Sequence, residues 1–158
     1  MNTVLGALVR FLSAVAAMFC FAGCGKAENS FVKALHRSGE AALTATNAAV
    51  NVPSVTQFEW ETLFIFSPYT PVDRIHTQLG YKWEEAQRTH IDSSETFYLL
   101  VFTKSGKVVQ HYKFPRTLGD FQNLEDGNTF SKETATFEVK RATDTSSKRL
   151  IFTPKRGG

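Results

Sequence analysis

Residues 57–66 read Gln-Phe-Glu-Trp-Glu-Thr-Leu-Phe-Ile-Phe, and no other stretch limits the fold as tightly. Successive side chains of a strand point to opposite faces. Phe58, Trp60, Thr62, Phe64 and Phe66 therefore share one face, with Gln57, Glu59 and Glu61 on the other. Leu63 and Ile65 then make the second face apolar as well. The strand is expected to start half-exposed and to end buried on both sides.

Other periodicities complete the outline. Residues 96–103 contain the unbroken apolar run Phe97 to Phe102, which suits a central strand. Lys104-Ser105-Gly106-Lys107 turns the chain, with Gly106 free to take positive φ, and residues 108–114 return before Pro115. In residues 134–140, Ala135, Phe137 and Val139 alternate with polar neighbours, and residues 149–153 form a last strand. Phe31, Ala34, Leu35, Ala42 and Ala49 predict a helix over 31–50, although Gly39 weakens it. A second helix is expected after Pro71, with Thr70 as N-cap, Val72, Ile75 and Leu79 as the buried stripe and Gly80 as C-cap. Residues 81–95 and 116–131 read as irregular connections. Strands joined by turns point to a single α+β domain over 31–158: an antiparallel meander of about five strands with one or two helices packed on one face.

The N-terminus carries an address. Positive charge at the amino terminus and Arg10 precedes an uncharged apolar run from Phe11 to Ala22, then the small residues Ala22 and Gly23, then Cys24, with polarity returning at Lys26. This is the build of a secretory signal, and the run is shorter than the ~20 residues of a membrane span. The segment Phe21-Ala22-Gly23-Cys24 resembles the lipobox of bacterial lipoproteins, with Phe21 where an aliphatic residue is usual. The resemblance implies that the signal, 1–23, is removed, that Cys24 is acylated and becomes the first mature residue, and that 24–30 tethers the domain to membrane lipid. Gly25, in place of an aspartate beside the cysteine, implies an outer-membrane destination. Two alternatives stay open: an ordinary signal cut after Ala14-Val15-Ala16, and an uncleaved signal anchor that also uses Met1–Val9. The segment 60–70, Trp-Glu-Thr-Leu-Phe-Ile-Phe-Ser-Pro-Tyr-Thr, resembles a stretch of small bacterial envelope lipoproteins but implies no activity.

The cysteines agree with export. Cys20 leaves with the signal, and no cysteine follows Cys24, so the domain folds on its core without disulfides. The leader contributes one of the chain's 18 cations and none of its 15 carboxylates, which leaves a mature net charge of +2. So even a balance argues against nucleic acid as a partner.

Catalytic and ligand-binding signatures are sparse. The histidines, His36, His76, His90 and His111, include no i, i+4 pair. His90, Asp92, Glu84 and Glu85 form a local set of metal-ligand types, for which a solvated loop is the simpler account. Glu59 and Glu61 lie on one strand face, a spacing from which two carboxylates can raise each other's pKa, although a solvent face suffices to explain them. Lys104, Lys107, His111, Lys113 and Arg116 mix with Tyr112 and Phe114. Alternation separates bases from aromatics, so these aromatics belong to the core and the bases to solvent. Tyr69 is placed to line a groove at the strand exit, with packing as the plainer expectation.

No catalytic, cofactor or metal residue is therefore assigned, and Cys24 is the one site residue, for lipidation. The expectation is a non-enzymatic binding or structural module whose partner is an envelope protein or cell-wall material. One alternative is a periplasmic inhibitor or immunity protein against a wall-degrading enzyme or toxin, using the connections 81–95 or 116–131. The other is a hydrolase without a local motif.

Overall fold

The computed structural model describes residues 24–46, 48–124, 128–143 and 149–155, with side chains from Ser30 onward. The leader 1–23, including Phe21, Ala22 and Gly23, lies outside the described residues.

The fold is α+β, with two four-stranded sheets in place of a single meander. The first sheet has the order β1 (Ala49–Asn51), β7 (Thr136–Arg141), β8 (Leu150–Pro154), β5 (Gly119–Phe121). The second has the order β4 (Lys107–Pro115), β3 (Phe97–Lys104), β2 (Thr62–Phe66), β6 (Thr129–Ser131). The difference comes from β1, β5 and β6, three residues each, too short to show an alternating pattern. The β5–β8 pairing is parallel, a connection no run of hairpins provides.

Helix α1 (Cys24–Ala42) already includes Cys24, the first described residue, so residues 24–30, expected as a tether, are helical and continuous with it. It buries Phe31, Val32, Leu35 and Ala42. It ends before the expected Val50, which instead lies buried in β1 and pairs with Phe137. Gly39 has a purpose that propensity conceals. A Cβ there would lie 2.6 Å from Leu150 Cδ1 and 3.2 Å from Phe152, so glycine lets α1 press onto β8.

Two cores flank the second sheet. The larger joins α1, the inner faces of both sheets, and Trp60, Leu63, Ile65, Phe102, Phe114 and Phe152. The smaller, on the opposite face, gathers Phe66, Leu99 and Val101 with Ile75 of helix α2 (Val72–Leu79), Trp83, and Ala86 of helix α3 (Glu85–Thr89). Strand β2 thus ends buried on both sides, and β3 is buried from Phe97 to Thr103, as their apolar runs anticipate. Phe58 and Trp60 depart from expectation: they pack in the larger core with Leu63, not with Phe64 and Phe66. The chain bends at Glu61, and regular strand begins only at Thr62, which breaks the alternation. Phe102 sits at the hub, with ring centroids of Phe31, Phe58, Trp60 and Tyr112 at 5.4, 5.1, 5.2 and 5.9 Å.

Residues 81–95 are not irregular. They hold α3 and a 3-10 turn at Ile91–Ser93, with Trp83, Ala86 and Ile91 buried. Gly80 caps α2 with φ 77°, as expected, but Thr70 does not cap it: Pro71 holds the N-cap position and the Thr70 hydroxyl bonds Ser67 O at 2.7 Å. Among the described residues no helix is long and apolar enough to cross a membrane.

Candidate functional site

The antiparallel pairing of β2, β3 and β4 gives the second sheet two distinct ends. At one end Lys104 opposes Lys107 across the hairpin turn, and Thr62 opposes Thr103. At the other, β2 leaves at Phe66, β3 begins at Phe97 and β4 ends at Pro115.

Among the described residues, the exit end contains a left-handed tyrosine and a buried carboxylate. Tyr69 takes φ 63°, a left-handed conformation rare for a bulky residue, and its side chain is 57% exposed. The ring therefore lies largely outside both cores. Its N–H is held by Ile91 O at 2.9 Å and Ser94 O at 3.2 Å, and its hydroxyl lies 3.4 Å from Glu95 Oε2. A strained residue persists only where its surroundings over-determine it, and such strain gathers at functional sites. Next to it, Arg116 N–H donates to Thr96 O at 2.9 Å and its guanidinium to Glu95 O at 3.3 Å. The connections 81–95 and 116–131, far apart in sequence, therefore meet at Glu95, whose carboxylate also accepts from the Tyr69 hydroxyl.

Behind this surface lies Asp120, buried on β5. Arg116 Nε reaches one of its oxygens at 2.6 Å and Arg149 Nη1 the other at 2.9 Å. The placement depends on Gly119. A Cβ there would sit 2.8 Å from Leu150 O, so only glycine lets β5 lie flush against β8 and bring Asp120 to Arg149. Tyr98 packs on Phe121 and donates to Phe121 O at 3.2 Å. Burial first, and the Asp120 charge second, push its phenol above the ordinary tyrosine value. The Asp120 hydrogen bond likewise holds the Arg116 guanidinium above its ordinary value.

The turn end holds the two glutamates, and they are not an acid–base pair. Glu59 is exposed between Lys132 at 3.5 Å and Lys104 at 3.9 Å. Glu61 Oε2 accepts the Ser105 N–H at 2.8 Å and so caps the hairpin, where Ser105 and Gly106 both have positive φ. The metal-ligand types in 84–92 also fail to converge. Glu84 pairs with Lys82 at 3.3 Å, Glu85 with Arg88, and His90 is an exposed left-handed cap to α3. No group of three potential metal ligands occurs among the described residues.

His36 lies 3.8 Å from Glu40 on α1, and the ring of His76 lies 3.2 Å from Trp83 O. Tyr112 and Phe114 are core, as alternation predicts, but His111 and Lys113 are not simply solvated. His111 packs edge-on to Trp83 at 5.1 Å and Lys113 lies over Phe97 at 5.0 Å, because the α2–α3 layer covers that face. An open hollow of about 390 Å³ lies over the outer face of the first sheet, lined by Thr46, Asn123, Glu138, Lys140, Thr153 and Lys155 among others. Neither Tyr98 nor Arg116 lines it. Cys24, the predicted lipidation residue, is the first described residue and has helical backbone in α1.

Sequence reasoning missed Glu95, Asp120 and Arg149. The available signal was an aspartate inside Leu118-Gly119-Asp120-Phe121, where a charged residue interrupts apolar neighbours. No family model matches the chain, nor does any curated protein or solved structure.

Proposed function

We propose that this chain is an exported bacterial envelope lipoprotein, anchored at the outer membrane through acylated Cys24, whose domain is a non-enzymatic module that binds another envelope protein. The leader and Phe21-Ala22-Gly23-Cys24 support the address. One observation supports the binding reading: a strained, exposed Tyr69 held rigidly beside Arg116 and Glu95. Tyrosine and arginine are enriched among the residues that dominate binding energy in protein interfaces, and rigid presentation lowers the entropy cost of association.

A second reading has specific support from the same end. The connections 81–95 and 116–131 converge there through Arg116, which suits an inhibitor or immunity protein that blocks a wall-degrading enzyme or toxin.

The test is photo-crosslinking in intact cells, with the crosslinker at position 69 or, as a control, at exposed Val109. The expected result is an adduct to one defined envelope protein from 69 and not from 109, and the identity of that protein separates the two readings. Equal labelling from both positions, or none from 69, overturns the binding surface. For the anchor, Cys24→Ser should lose acyl mass and release the domain from membranes; continued membrane binding would favour an uncleaved signal anchor.

A further inference from the structure

Helix α1 connects the anchor position to the body of the domain, and its direction can be read from its contacts. Phe31 packs at 5.4 Å from Phe102 and 4.6 Å from Tyr112, on the turn side of the second sheet. Eight residues later, Gly39 meets Leu150 and Phe152. Phe152 in turn lies 5.7 Å from Phe114, which pairs with Tyr98 near the exit end. The helix therefore runs from the turn end toward the exit end. Cys24 precedes Phe31 by seven helical residues, which extends α1 about 10 Å further toward the turn. From Lys104 to Phe97 strand β3 covers about 24 Å in the opposite direction.

Building on the anchored-module reading, we propose that the domain stands on its hairpin-turn end and presents the Tyr69 surface away from the membrane. The Tyr69 surface then lies about 25 Å above the headgroups. Its partner is a protein surface met beyond the membrane, not the bilayer or a segment embedded in it. Helix α1 is what transmits this orientation, because the helix is continuous from Cys24 into the core. Charge does not set it: Lys104, Lys107 and Lys132 at the turn end are matched by Glu59, Glu61 and Glu133.

Because no cysteine follows Cys24, single-cysteine labels can be placed cleanly. Purified acylated full-length protein is reconstituted into phosphatidylethanolamine/phosphatidylglycerol vesicles containing a headgroup-nitroxide lipid. A fluorophore is attached at Ser105→Cys, on the turn, or at Thr117→Cys, exposed beside Arg116. Quenching should be several-fold greater at 105 than at 117. A flexible Gly-Ser insertion immediately before Ser30 should abolish the difference. Equal quenching at the two positions, or stronger quenching at 117, overturns the orientation. A difference that survives the insertion overturns the role of α1. Failure of the acylated protein to bind vesicles would instead sink the anchor reading, and failure of crosslinking at 69 the binding reading, so the failures are distinguishable.

Discussion

The two ends of the second sheet use the same ingredients, carboxylates, cations and left-handed backbone, to opposite effect. At the turn end, positive φ falls on Ser105 and Gly106, as a two-residue hairpin requires, and Glu61 caps the turn. The charges around Glu59 are exposed to water. At the exit end, positive φ falls on tyrosine, and the carboxylate is buried between two arginines. The turn end is arranged for local stability. The exit end tolerates a left-handed tyrosine whose ring stays in solvent, the feature on which the proposed binding surface rests.

Substitutions should expose that asymmetry. The largest effect is expected for Asp120→Ala, which leaves Arg116 and Arg149 without their shared carboxylate. Removing one partner of a fully buried pair costs roughly 3–5 kcal/mol, but both arginines keep part of their surface in water. We therefore expect a loss of about 2 kcal/mol in chemical denaturation. A loss as small as that of Glu59→Ala would erase the distinction between the ends.

Alkaline titration separates them next. Tyr98 is favoured in its neutral form by folding, so the native state holds its proton above pH values near 10 where the unfolded chain releases it. The associated stability is complete below about pH 10 and falls as pH rises through the folded value. Tyrosinate absorbance should show one tyrosine ionising later than the others, or only with unfolding. Tyr98→Phe should remove that late phase and flatten the loss of stability above pH 10.

Tyr69→Gly should act in the opposite direction on stability and binding. Glycine takes φ 63° without strain, which is worth about 1 kcal/mol, partly offset by the greater freedom of the unfolded chain. Denaturation midpoints should stay level or rise while the crosslinked partner is lost. A destabilised variant would show that Tyr69 serves packing after all. The smallest effects belong to the turn end. Glu61→Ala should cost up to about 1 kcal/mol through the lost hairpin cap, and Glu59→Ala less than about 0.5 kcal/mol.

The same contrast explains what could be read in advance. Strand β3 and the end of β2 were legible because burial on both faces leaves an unbroken apolar run. Gly106 and Gly80 were legible because the left-handed backbone at each depends mainly on neighbouring residues. Strand β5 was not, since a three-residue strand has no period to detect and is defined by its parallel partner β8. Asp120 was invisible as an ion-pair centre because Arg149 lies 29 residues away and is brought near by the Gly119–Leu150 contact. Tyr69 looked like a packing residue, since its exposure depends on the backbone of Ile91 and Ser94 holding its turn in place.

By itself, then, the amino-acid order determined the α+β class, the strands with long apolar runs, the tight turn at Ser105-Gly106, and a domain that folds without cysteine crosslinks. These follow from local backbone preference and from side-chain period, which act between near neighbours. The tertiary structure alone decided that there are two sheets, that α1 runs from turn to exit, and that Tyr69, Glu95, Arg116 and Asp120 share one end. Those depend on contacts between residues distant in the chain, whose energies exist only once the surfaces meet.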